Sequence, residues 1–397
     1  MTTTVNLELK FIDLFAGIGG FHSALSKNGC ECVFASEIDK DCVKVYEQNF
    51  NMKPVGDIKK VNAEEIPDFD ILCGGFPCQA FSHSGKQKGF KDKTKGTLFF
   101  DICRILKYKK PKYLILENVR NLYGHDNGNT WKTIYEEITS LGYLTYEKPI
   151  ILSPLHLGIP QNRNRVFIVG IRKDTNEKLK EYPVFKKQET IIDDILSDNK
   201  DISDEILEKV KLSDKNISVL DLWENFLQYF KKNKIKLPTF PIWTDVWTTK
   251  DNINNLPDWK KKIIISNRSF YIQYSDFLSK WLKVSRKNPN FVGSKAKFEW
   301  QSGKFQPKDS IWTLLFQFRP SGIRVSRSNY SPALVAMSQI VYIGSKKRKL
   351  TPREVSRLQS FPENFILDSS VNKAYKQFGN SVNVKVIETI LYHILNI

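Results

Sequence analysis

The segment Phe11-Ile12-Asp13-Leu14-Phe15-Ala16-Gly17-Ile18-Gly19-Gly20-Phe21 decides the fold class. FIDLF (11–15) is an apolar run of strand length that ends in a glycine-rich turn. The residues after the turn, FHSALSKNG, carry a helical spacing that stops at a glycine. Glycines in such a turn allow tight bending and close approach of a ligand to the helix N-terminus. A second strand, ECVFASEI (31–38), brings Glu37 to its end, 20 residues beyond Gly17. An acidic residue there can accept hydrogen bonds from ribose hydroxyls. The arrangement suits a nucleoside cofactor on a Rossmann-like fold. Dinucleotide enzymes satisfy it too, although these glycines do not spell GxGxxG, and a plain strand-to-helix turn needs no ligand at all.

Further along, DCVKVYEQNF reads as a helix and FDILCGG (69–75) as a buried strand. TLFFDICRILKYKK (97–110) is an amphipathic helix, KYLILENV (112–119) a strand, WKTIYEEITSLG (131–142) a helix and RVFIVGIR (165–172) a strand. This alternation predicts an α/β fold around a mostly parallel, doubly wound sheet. After about residue 175 the character changes to charged stretches, with 186–215 reading as solvated surface. Seven of the eight tryptophans follow, only Trp131 lying earlier, and their ordinary place is a core. Order returns near residue 350, where Thr351, Pro352 and Glu354 spell a helix start. The last segment, VKVIETILYHIL, reads as an apolar helix packing back onto the first domain. The expected division is a larger domain over 1–178 completed by 370–397, and a smaller domain of mixed or irregular structure over 179–369.

The 397 residues are 41% hydrophobic, enough for a sizeable core, and no apolar run approaches the ~20 residues of a membrane span. MTTTVNLELKFIDLF lacks the pattern of a secretory signal, so a soluble protein in the cytoplasm is expected. The net charge of +18 favours a polyanionic partner, nucleic acid above all, although a lysine-rich composition alone would give a similar balance. The cysteines, Cys30, Cys32, Cys42, Cys73, Cys78 and Cys103, form no CxxC pair and no zinc spacing, so no metal is expected. Most of them read as small packing residues in a reducing compartment.

Cys78 stands apart, because Gly74-Gly75-Phe76-Pro77-Cys78-Gln79 follows a strand directly. Ligands bind beyond the carboxyl ends of parallel strands, and a thiolate there is a strong nucleophile when dipoles or cations lower its pKa. Glu117, with Asn118 and Val119, ends another strand and would face the same crevice; a capping or salt-bridged glutamate is the plainer reading. In Gln161-Asn162-Arg163-Asn164-Arg165 two arginines at i and i+2 point the same way, to grip a phosphate or a developing negative charge or simply to form a basic turn. Asp57 falls where a third strand should end, as a partner for an adenine amino group or as a turn residue.

Seven segments together resemble the DNA cytosine-5 methyltransferase family of bacterial restriction–modification type. They are FIDLFAGIGGF, GGFPCQAFS, GTLFFDICRIL, LILENV, PQNRNRVFIVG, RKLTPREVSRLQSFP and FGNSVNVKV, in the family's order, covering 11–170 and about 340–397. The resemblance implies an S-adenosylmethionine-dependent methyltransferase domain plus a target-recognition domain in the variable segment. It implies a cofactor pocket lined by Phe15, Gly17, Gly19, Glu37, Ile38, Asp57 and Leu98 and closed by Asn380 and Ser381, with Val382 beside them. Cys78 would attack carbon 6 of a flipped cytosine, Glu117 would donate to ring nitrogen 3, and Asn118, Gln161, Arg163 and Arg165 would support the base and the loop.

The loop Ala80–Lys95, with Ser82, would close over duplex DNA. In the variable segment Arg319, Arg324, Arg327 and Asn329 are the candidates to read base edges or grip phosphates. The Thr-Leu pair usual in this segment is replaced by Ala333-Leu334. The implied protein is a monomer that modifies host DNA, alongside a cognate restriction endonuclease it need not touch. A tRNA cytosine-5 methyltransferase of the same fold is the runner-up.

Overall fold

Lys10–Leu14 forms the central strand β1 of a parallel sheet in the computed structural model, which describes residues 7–76, 98–249, 252–334 and 339–395. β1 pairs on one side with β2 (Glu31–Ser36) and on the other with β3 (Ile71–Gly75), both parallel. β4 (Tyr113–Val119) extends the parallel order beyond β3. The chain winds outward to β2 and then returns past β1 to β3, so the connections diverge at the carboxyl end of β1 and leave a crevice there. The register fixes what faces it: Leu14 pairs with Ser36 and Gly74, and Gly75 pairs with Glu117.

The rest of this sheet is antiparallel. β5 (Tyr143–Leu144) and β6 (Ile150–Leu152) precede the short β7 (Gln161–Asn162), and β8 (Arg165–Arg172) runs against β4, β5 and β6. The continuous apolar runs of β1, β3 and β4 are buried, which is what a sheet covered on both faces demands. Helices α1 (Gly20–Ser26), α2 (Lys40–Phe50), α3 (Leu98–Lys109) and α4 (Asn129–Ser140) flank it. α3 buries Phe99, Ile102, Cys103, Ile105 and Leu106, and α4 buries Trp131, Ile134 and Ile138, at the spacing of one helical face. Each such side chain contributes about 1.5–3 kcal/mol by leaving water.

The described chain divides into two compact units, one from Met1–Thr190, Pro332–Met337 and Pro352–Ile397, the other from Ile191–Ser331 and Ser338–Thr351. The second unit is more regular than expected. It holds α5 (Asp204–Val210), α6 (Asp214–Lys232), α7 (Asp258–Gln273) and α8 (Ser275–Ser285). Its six-stranded sheet includes β9 (Ile242–Trp243), β10 (Lys297–Trp300), β11 (Leu315–Arg319) and β12 (Gly322–Ser326). α6 turns Val219, Leu220, Trp223, Phe226, Leu227 and Phe230 inward, and Trp223 stacks on Phe298 at 4.7 Å between ring centroids. Trp247, Trp281 and Trp300 are buried there as core residues, while Trp259 is exposed. The 186–215 stretch is not wholly solvated: Ile192, Ile195, Val210 and Leu212 are buried.

The chain rejoins the first unit at Pro352, not at residue 370. α9 (Pro352–Leu358) is tied to the last helices, α10 (Val371–Asn380) and α11 (Val384–Ile394), by buried amides. Gln359 Nε2 donates to the Phe378 carbonyl at 2.6 Å and Asn383 Nδ2 to the Leu358 carbonyl at 2.9 Å. Such bonds satisfy helix ends that would otherwise be buried and open. No described helix is long and apolar enough to cross a membrane.

Candidate active site

The glycine turn after β1 is built by three left-handed residues, Phe15 at φ +56°, Gly17 at φ +57° and Gly19 at φ +86°. Glu37, just past β2, pins it: Oε2 accepts the Gly17 amide at 2.8 Å, and Oε1 accepts the amides of Ile38 and Asp39 at 2.7 Å each. A Cβ added at Gly17 would meet nothing within 4 Å, so open space lies against this backbone. Ile38, beside Glu37, leaves 74% of its surface exposed. An unpacked isoleucine next to a free backbone face is what an apolar, flat ring would cover.

Two glycines of the turn do other work. At Gly19 a Cβ would lie 2.1 Å from the Phe50 ring, so this residue, expected to line the cofactor pocket, is required for packing. At Gly20, which the sequence reading passed over, a Cβ would lie 2.6 Å from Val382 Cγ2 and 2.8 Å from Ser381 Oγ. Gly20 thus lets the start of α1 abut the Ser381–Val382 backbone. Ser381 is buried, whereas Asn380 is exposed at the end of α10. Leu98 opens α3 half-buried against the core. Asp57 does not end a strand: only an isolated Ser36–Val55 bridge precedes it, and its carboxylate caps a short turn by accepting the Lys59 amide at 3.1 Å. Asp13, one residue before the end of β1, is fully buried without a close side-chain partner, and burial pushes its carboxyl well above the usual range.

At the neighbouring strand ends Glu117 is buried, and Arg165 Nε donates to its Oε1 at 2.9 Å. Burial raises the Glu117 pKa, against the lowering pull of the Arg165 and Arg163 cations. The carboxyl therefore keeps a proton to higher pH than an ordinary glutamate. A Cβ built on Gly75 would sit 3.5 Å from Glu117 Oε2, so the chain leading toward Cys78 passes beside this carboxyl. Asn118 fixes that exit: its Nδ2 donates to the Phe76 carbonyl at 2.8 Å, while its Oδ1 accepts the Val119 amide. Cys78, Ser82 and the Ala80–Lys95 loop lie outside the described residues. The described cysteines are buried or half-buried, and burial raises the thiols of Cys30, Cys32 and Cys103 to about 11, 12 and 12. Such thiols hold almost no thiolate at neutral pH.

Arg163 lines the same hollow as Glu117 and Arg165, and its guanidinium is also tied to the C-terminal segment. The side chain is buried, Nη1 donates to the Leu334 carbonyl at 3.0 Å, and Nη2 donates to those of Gly379 and Ser381 at 2.9 and 2.8 Å. Burial lowers its pKa to about 9. Its guanidinium is a clamp on the C-terminal segment. Gln161 is fully buried, with its amide unpaired among the described residues. A small hollow runs beside these groups, lined by Glu117, Pro154, Arg163, Arg165, Phe167 and Val386 among others.

In the second unit the arginine candidates scatter in role. Arg324 makes a two-point pair with Glu299 at 3.0 and 3.1 Å. Arg327 bonds Asp309 and the carbonyls of Ser302 and Lys304. Each is thus held by a carboxylate within the second unit, which engages part of the five donors of its guanidinium. Arg319 has a buried Nη1 without a partner among the described residues, and Asn329 is exposed.

The C-5 cytosine-specific DNA methylase profile matches residues 9–396. The chain belongs to this family. Its methyltransferase relatives include the type II enzyme M.HhaI of Haemophilus parahaemolyticus, 34% identical over 386 residues, covering 97% of this chain and 94% of that protein. M.AluI of Cellulosimicrobium cellulans is 33% identical over 482 residues, covering 97% and 92%. Among solved structures, DNMT2 of Spodoptera frugiperda superposes with a TM-score of 0.55 over 98% of this chain and 99% of that one, at 18% identity, a likeness of fold. The methyltransferase is thus an α/β enzyme whose activity is transfer of a methyl group to carbon 5 of cytosine in DNA.

Proposed function

We propose that this methyltransferase acts on a cytosine flipped out of duplex DNA, through a covalent intermediate on Cys78. The carrying observation is Glu117: a buried carboxyl with a raised pKa, held by Arg165 beside the strand end from which the chain runs to Cys78. Carbon 5 of cytosine is a poor nucleophile. Attack of the Cys78 thiolate on carbon 6 opens the 5,6 double bond and places its electron pair on carbon 5, conjugated through carbon 4 to nitrogen 3. Once carbon 5 has taken the methyl group, loss of its proton to a base restores the double bond and expels the Cys78 thiolate. Glu117, whose hold on a proton burial strengthens, donates to nitrogen 3 and offsets the developing negative charge. Arg165 then balances the carboxylate left on Glu117 and is placed to hold the oxygen on carbon 2. Asn118 holds the loop exit, and Arg163 positions the C-terminal segment instead of touching the base.

S-adenosylmethionine fits the other end of the crevice: open space at Gly17, a ribose-ready carboxylate on Glu37 and an uncovered Ile38. Phe15, Asp57, Leu98 and Ser381 would complete that pocket, and the cofactor would supply an electrophilic methyl group. None of this chemistry is reachable inside a stacked duplex, so base extrusion is part of the reading. The second unit serves as the target-recognition domain, the enzyme works as a monomer in the cytoplasm, and it guards host DNA within a restriction–modification system.

The test is bisulfite sequencing of DNA from cells expressing the chain beside a Cys78→Ala control, with trapping on 5-fluorocytosine duplex. Methylation confined to one short motif and absent from the control, with a stable adduct only for the native enzyme, is expected. Retained turnover in Cys78→Ala would sink the mechanism. Methylation of tRNA without methylation of duplex DNA would sink the substrate.

A further inference from the structure

Residues 222–351 carry 24 Lys and Arg against seven Asp and Glu, so this stretch accounts for 17 of the chain's net +18. A compositional lysine bias would leave its excess spread along the chain, whereas the remaining residues nearly balance. Within the stretch, α7 and α8 meet at Tyr274. From Asp258 to Lys287 they hold eight basic residues against two acidic ones.

Two features separate this surface from an ordinary solvated one. Lys260, Lys261 and Lys262 lie near the start of α7, where the positive end of the helix dipole makes cations unfavourable by about 0.3–1 kcal/mol. On α8, Lys280 and Lys283 share one exposed side, and Lys287 continues it one turn on. Among the described residues Lys262, Lys280, Lys283 and Lys287 make no ion pair, while Lys209, Lys211 and Lys261 each pair with a nearby carboxylate. Exposed lysines without a carboxylate partner, with Lys260 also set in the first turn of α7, are a surface kept for an anion supplied from outside.

We propose that the exposed side of α7 and α8 binds the sugar-phosphate backbone of duplex DNA, independently of base sequence. The inference rests on duplex DNA being the substrate. Lysine suits it, because an ammonium on a flexible stem neutralises a phosphate without the fixed fork that base recognition uses. Each phosphate so neutralised releases condensed counterions, and log K then falls against log salt with a slope of about −0.9 per contact.

The experiment is a salt titration of DNA binding by the full chain and by Lys260→Gln/Lys262→Gln/Lys280→Gln/Lys283→Gln. Removing charge at the start of α7 relieves that helix and removing it near the end of α8 costs a similar small amount, so the fold should hold, as circular dichroism will show. The slope should become shallower by about 2–4, with affinity at ~0.1 M salt falling at least tenfold for target and random duplex alike. The methylated motif and kcat at saturating DNA should not change. An unchanged slope overturns the proposal, and so does a loss confined to target duplex, which would place these lysines in base reading. Weakened binding to anionic vesicles with DNA binding intact would assign the surface to a membrane and overturn it too. Absence of DNA binding by the native chain would instead overturn the underlying reading.

Discussion

Arg163→Lys separates a clamp from a catalyst. The guanidinium gives three hydrogen bonds at 2.8–3.0 Å to the carbonyls of Leu334, Gly379 and Ser381, all in the same unit as β8. A lysine keeps the charge but has one compact head in place of a planar fork, so it can serve the Gly379–Ser381 side or Leu334, not both. Hydrogen bonds from charged donors contribute about 1.5–3 kcal/mol each, and a buried carbonyl left open costs a similar amount. With one or two of the three lost, the substitution should cost about 3–5 kcal/mol. Burial, with the neighbouring Arg165 cation, lowers the Arg163 pKa to about 9, so the charged head is already costly to hold there. Equilibrium urea unfolding reads the effect as a midpoint shift on the order of 1 M. Because the clamped carbonyls belong to the segment that abuts Gly20 at the start of α1, cofactor KM should rise more than kcat falls. An unshifted midpoint with a collapse in kcat alone would refute the clamp and return Arg163 to the reacting base.

Glu117→Gln should remove the basic limb of the kcat/KM profile as well as most of the rate, because the native limb reports loss of the raised Glu117 proton; a retained limb would assign it to another group. Asp13→Asn should stabilise the protein at neutral pH and not near pH 4. A carboxyl whose folded pKa is raised costs stability as pH climbs from the unfolded value through the folded one, so urea midpoints should diverge with rising pH, and parallel curves would contradict the burial argument. Gly20→Ala should cost about 1–3 kcal/mol by pushing a methyl into Val382, seen as a lowered melting temperature. Gly17→Ala meets no neighbour, so its cost should be near 1 kcal/mol of backbone strain, with a larger loss in cofactor affinity measured by calorimetry.

The periodicities of the first unit were legible to within a residue or two because β1, β3 and β4 are buried on both faces and the helices mainly on one. The place of Glu117 was legible for a related reason, since the end of a parallel strand is a place in the fold that a motif can mark. What escaped reading depended on partners far away in sequence. Arg324 meets Glu299 and Arg327 meets Asp309 across 25 and 18 residues, and nothing local distinguishes them from arginines free to contact DNA. Gly19 and Gly20 look alike in the turn, yet Phe50 and Val382 decide their duties. The helices of the second unit were within reach: the buried positions of α6 fall at 219, 220, 223, 226, 227 and 230, a helical period that the flanking charges obscured.

The division of charge follows from the same physics that shapes the site. A carboxyl that must stay protonated needs a low-dielectric setting, and cations close to it would undo the shift, as the opposing pull of Arg165 and Arg163 on Glu117 shows. Attraction for a polyanion needs the reverse, many solvated cations whose reach is about 8–10 Å at ordinary salt. One surface cannot serve both demands well. The methyltransferase concentrates its net positive charge in residues 222–351, which carry +17, while the unit that holds the parallel sheet carries +6. On this argument, adding lysines around the crevice to strengthen DNA binding should lower the Glu117 pKa and slow methyl transfer even as affinity rises, an outcome that salt titration and a pH–rate profile on the same variant would read together.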